Sequence, residues 1–85
     1  MYDDRVPKVF PLVVRGLTLR EANRLLARPS GTIVESRVFS KNRGVVHVVA
    51  RTPLQAIRRV ESISPDLRVI AVKKSCALPY HILND

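Results

Sequence analysis

Residues 45–56, VVHVVARTPLQA, pass from a β-branched apolar run straight into Thr-Pro-Leu-Gln, and residues 11–22, PLVVRGLTLREA, make the same passage 34 positions earlier. Thr18-x-x-Glu21 and Thr52-x-x-Gln55 both have the form of a capping box. In such a box the Thr hydroxyl accepts a hydrogen bond from the backbone N–H three residues on, and the Glu or Gln side chain reaches back. Pro53 strengthens the second start, because its missing N–H falls where a helix has no internal partner for one. The apolar positions that follow, Leu19, Ala22, Leu25 and Leu26 in one segment and Ala56, Ile57, Val60 and Ile63 in the other, have helical spacing. Pro29 and Pro65 lie where each helix should stop.

The flanks are repeated as well. FPLVVR (10–15) and VVHVVAR (45–51) deliver the chain into the two boxes, while residues 32–40 and 67–74 follow the two helices. The predicted order is strand, helix, strand, strand, helix, strand. Lys41-Asn-Arg-Gly44 makes a tight polar connector between the middle strands, with Gly44 able to supply a positive φ. The doubled unit predicts a ferredoxin-like βαββαβ sandwich of the α+β class. A four-stranded antiparallel sheet would then carry two helices on one face. Residues 1–85 are one domain in this reading, with a core over about 8–74 and a tail, 75–85, packed on the sheet or on a partner.

Strand alternation assigns the faces. His47 is excluded from a dry core, where an imidazole nitrogen would lack a partner. Leu12, Val14, Val46 and Val48 therefore belong under the helices, and Val13, Val45, His47 and Val49 on the other side. In the second strand Val34, Ser36 and Val38 alternate with Glu35, Arg37 and Phe39, and the charged set points away from the helices. For the last strand, Ile70 and Val72 are expected on the buried side.

Fifteen Lys and Arg stand against seven Asp and Glu, a formal charge of +8. That balance points to a polyanion or an acidic surface as partner. Cys76 is the single cysteine, which excludes a disulfide framework within the chain and favours a reducing compartment. The start, MYDDRVPK, has no positive n-region followed by an apolar stretch, and no run approaches the ~18 apolar residues of a membrane-spanning helix. A soluble, cytoplasmic protein without a membrane partner is expected.

Arg43-Gly44-Val45-Val46-His47-Val48-Val49-Ala50 resembles the third-strand signature of the RNA recognition motif, Lys/Arg-Gly-aromatic-Gly/Ala-aromatic-Val-x-aromatic. The Arg, the Gly and the sixth-place Val match; Val45, His47 and Ala50 stand at the aromatic places, so His47 alone has a ring for a base. The resemblance implies RNA or another single strand as ligand, gripped mainly through phosphates. The residues expected to make that contact are Arg37, Phe39, Lys41, Arg43, His47, Arg51, Lys73 and Lys74. A secondary stripe of Arg20, Arg24 and Arg28, with Arg58 and Arg59 at comparable places on the second helix, adds phosphate contacts or is a solvated face. Neither His47 nor His81 has Cys or carboxylate companions at metal-ligand spacing, and no phosphate loop or nucleophile elbow appears. No enzymatic activity, metal or cofactor is expected. The rival expectation is a protein-interaction subunit, a homodimer or part of a larger assembly, using the apolar sheet face against a second copy or an acidic protein.

Overall fold

The computed structural model describes residues 6–27 and 32–77. The elements run β1 (Lys8–Arg15), α1 (Leu19–Leu26), β2 (Ile33–Ser40), β3 (Arg43–Ala50), α2 (Pro53–Ile63), β4 (Arg68–Val72) and β5 (Cys76–Ala77). The fold is α+β, with four main antiparallel strands in the order β2-β3-β1-β4 and two helices. The expected element order holds, with a two-residue addition: β5 continues along the edge of β1 beyond β4, pairing Lys8 with Ala77 and Val9 with Cys76. The start of the tail is thus part of the sheet, while its remaining residues, 78–85, lie outside the described ones.

Both helix starts are capped by Thr as expected. Thr18 Oγ1 accepts from Glu21 N and Thr52 Oγ1 from Gln55 N, each at 3.1 Å. The reciprocal half of each box goes elsewhere. Gln55 Oε1 accepts from Arg51 N at 2.7 Å, one residue ahead of the cap. Glu21 turns to α2, where its carboxylate accepts from the hydroxyl of Ser64, the buried cap of that helix's far end. The carboxylate thereby ties the beginning of α1 to the end of α2.

One core joins the sheet to both helices. Phe10, Leu12 and Val14 of β1 meet Val46, Val48 and Ala50 of β3, with Ala22 and Leu25 of α1 and Ala56 and Val60 of α2 packed against them. Each fully buried Val or Leu contributes ~1.5–3 kcal/mol relative to its exposed state. The face assignment of β1 and β3 is correct, but α1 buries less than its apolar spacing suggests. Leu19 is 69 % exposed and Leu26 also faces solvent. With only eight residues, α1 has room for two core contacts. Leu17 and Leu67, from the connections into α1 and β4, complete the core in their place.

Two further expectations are corrected. In β4 a register shift against β1 between Val13 and Val14 turns Val69 toward the core together with Val72, and leaves Ile70 49 % exposed. A bulge of this kind moves every side chain before it to the opposite face, which simple alternation misses. In the hairpin the positive φ belongs to Asn42, at 60°, and Gly44 already lies inside β3. Asn tolerates the left-handed region through local hydrogen bonding. Gly44 is needed for closeness: a Cβ there would run into the Arg37 carbonyl and stand 2.5 Å from Leu17 Cδ2.

Pro11 sits in β1, which has neighbours on both sides. A proline in such a strand removes one ladder donor. Its carbonyl accepts from Lys73 N at 2.8 Å, so its nitrogen also points to the β4 side, at the gap between β4 and β5. The missing N–H therefore falls where the ladder is already broken, and pairing with β3 continues through Pro11 and His47.

Candidate functional site

The sheet face turned away from the core carries Val13, Val45, His47 and Val49, as the alternation requires. Its two ends differ. Toward the start of β1, Val9 is fully buried although it faces away from the core cluster. Toward the end of β1 the register places Arg15 opposite Arg43 of β3 on one side and opposite Arg68 of β4 on the other. All three are exposed, and none forms an ion pair among the described residues. Neighbouring strands are about 4.8 Å apart, and like charges directly opposite one another destabilise a sheet. Lys41, exposed in the adjoining turn, adds to the same end. Three exposed arginines thus stand side by side across three strands, with no carboxylate paired to any of them among the described residues.

Arg15 and Arg68 were absent from the contact set expected on sequence grounds. Their pairing joins strands far apart in the chain, so spacing along the sequence gives no hint of it. Only the β3-β1-β4 order combined with the register would have found them.

The expected contact residues divide into groups. Arg43 and Lys41 belong to the arginine end. Arg51, also exposed, lies past the other end of β3, roughly 26 Å from Arg43 by the rise of a strand. Lys73 and Lys74 are exposed at the break between β4 and β5. Phe39 is 57 % exposed at the register shift near the end of β2, where its ring is accessible. His47 has only 12 % of its side chain exposed, leaving little ring for stacking. Glu35 faces it across the β2–β3 pair, with its Oε2 3.9 Å from His47 Nε2 and 3.7 Å from Arg37 Nη2. This carboxylate partly neutralises the middle of the face, so the positive field is strongest at the ends.

The helix arginines occupy the other layer. Arg20 and Arg24 are exposed on α1, and Arg24 Nη1 stands 3.6 Å from Glu21 Oε2, a pair of the solvated kind that contributes ~0.2–1 kcal/mol at most. Arg58 is exposed on α2, Arg59 Nη1 donates to Val49 O at 2.7 Å, and Arg28 lies outside the described residues. The helix stripe and the sheet-face cations therefore do not form one surface.

Among the described residues no group of three or more His, Cys, Asp or Glu is placed to hold a metal ion, and no helix is long and apolar enough to cross a membrane. Compared with protein-family models, with curated proteins and with solved structures, the chain matches none.

Proposed function

We propose that the chain is a small, non-enzymatic nucleic-acid-binding module of ferredoxin-like build, holding single-stranded RNA chiefly through its phosphates. The observation that carries this reading is the Arg68–Arg15–Arg43 row across three neighbouring strands, exposed and without an ion pair among the described residues, with Lys41 beside it. The strand order β2-β3-β1-β4 supports the ferredoxin-like assignment, since it centres the first strand of each repeated unit. The Arg43-Gly44 framing of β3 favours RNA over DNA through its likeness to the RNA recognition motif. Base stacking contributes little, because Val45 has no ring, His47 is largely covered and Ala50 is turned into the core. The module therefore grips backbone and discriminates weakly among sequences.

Fluorescence anisotropy with labelled single-stranded oligonucleotides over a salt series tests this. The logarithm of the affinity should fall linearly with the logarithm of salt concentration, by about 0.7 per phosphate contact on a single strand. Absence of binding at low salt would refute the proposal. Replacing Glu35 with Gln should raise affinity about threefold, the effect of removing ~0.7 kcal/mol of surface repulsion. A loss of affinity in that variant would instead mean that the carboxylate positions Arg37 for the ligand.

Phe39, together with the position of β2 at the edge of the sheet among the described strands, supports a second reading, in which the same face meets another copy of the chain or an acidic protein. Light scattering separates the two. A dimer that Phe39→Glu converts to monomer, in a chain that ignores oligonucleotides, would favour the interaction subunit.

A further inference from the structure

A groove of 660 Å³ runs along α2 beside the chain entering β2 at Thr32, in the helix layer and apart from the cation row. Its volume lies within the ~300–1,000 Å³ common for small-molecule sites. Among the described residues its charged lining is Arg58 and Arg59, with no carboxylate. Arg59 is half-buried, and its hydrogen bond to Val49 O holds one edge of the guanidinium in place. Unlike Arg24 and Arg37, which each find a glutamate, Arg59 has no anionic partner among the described residues. A partly desolvated cation satisfied by a neutral carbonyl on one edge keeps its other N–H groups for an anion, and the planar fork suits phosphate oxygens. Ser62, and Thr52 through its hydroxyl hydrogen, add donors; Leu54, more than half exposed, and Ile63 add an apolar wall.

The geometry points to this groove as a binding site for a phosphate monoester carrying a flat apolar group, a ligand the size of a mononucleotide. The phosphate would sit on Arg58 and Arg59, with the ring against Leu54 and Ile63.

Amide and arginine side-chain NMR shifts of the full chain, followed during titration with adenosine 5′-monophosphate, adenosine and inorganic phosphate, test the assignment. Saturable shifts at Thr52, Arg59 and Ser62 are expected with the monophosphate in the millimolar range, weaker ones with inorganic phosphate, and none with adenosine. Arg58→Gln, at an exposed position, should weaken the monophosphate about tenfold, as loss of one charge-assisted contact implies. Arg59→Gln should weaken it at least as much, with a thermal midpoint recorded to show that the fold persists. The inference is overturned if the monophosphate produces no saturable shifts, if adenosine reproduces them, if inorganic phosphate binds equally well, or if Arg58→Gln binds like the parent. It is independent of the sheet-face reading. A chain with Arg15, Arg43 and Arg68 neutralised should still bind the monophosphate, and a parallel loss would assign the effect to the sheet face.

Discussion

Replacing Arg15, Arg43 and Arg68 together by Gln is expected to lower oligonucleotide affinity on the order of a hundredfold at low salt, three screened contacts of ~1 kcal/mol each. The slope of log affinity against log salt should shrink by about two, since each lost phosphate contact on a single strand removes about 0.7. The same variant should be more stable than its parent. Arg15 stands opposite both Arg43 and Arg68, and each such pair of like charges costs ~0.2–1 kcal/mol. Neutralising them should raise the thermal midpoint by about 4 °C, taking ~0.5–1 kcal/mol of relief in a domain of this length. The opposite signs are what make the experiment informative. If binding and stability fall together, the arginines are structural; if stability rises and binding does not change, the ligand lies elsewhere.

Gly44→Ala should be the most damaging single-methyl change in the chain. The added Cβ faces two obstacles, the Arg37 carbonyl of β2 and Leu17 Cδ2 at 2.5 Å. Leu17 is fully buried, so its methyl has little space into which to retreat. The carbonyl belongs to the backbone of the paired strand and can move only by parting β2 from β3. A loss of about 3 kcal/mol is expected, at the upper end of overpacking costs and a large share of the ~5–15 kcal/mol that holds a typical domain together. Urea denaturation followed by circular dichroism would measure it. A variant within ~0.5 kcal/mol of the parent would show that β2 and β3 are not held this closely. Gly16→Ala is a useful contrast: its φ of 90° disfavours any side chain, while the nearest obstacle, the Asp66 carbonyl, is 3.0 Å away.

Much of this architecture is written in local chemistry. The two Thr caps and the alternation of Leu12, Val14, Val46 and Val48 depend on residues a few positions apart, and the structure has them where the sequence places them. What escaped depends on partners distant in the chain. The last strand shows no clean alternation in the sequence, and Ile70, expected on the buried side with Val72, is turned outward by a bulge against β1. Gly44, at the end of the Lys41-Asn-Arg-Gly44 connector, suits a positive φ on sequence grounds, whereas its need comes from Leu17 and the neighbouring strand. Glu21 completes its box in form but directs its carboxylate to Ser64, 43 residues further on. The candidate site follows the same rule. Lys41, Arg43 and Arg37 could be nominated from a single hairpin, but Arg15 and Arg68 join them only once β1 lies between β3 and β4.

The gap between β4 and β5, beside Pro11, has a thermodynamic consequence for the sheet's last strand. Because the ladder is interrupted opposite the proline, β5 is held by its own short pairing with Lys8 and Val9 and does not share the longer zipper that β4 forms with residues 12–15. Detaching it costs a local opening and leaves the main cooperative unit closed. Two strands that share one neighbour therefore need not part from it together.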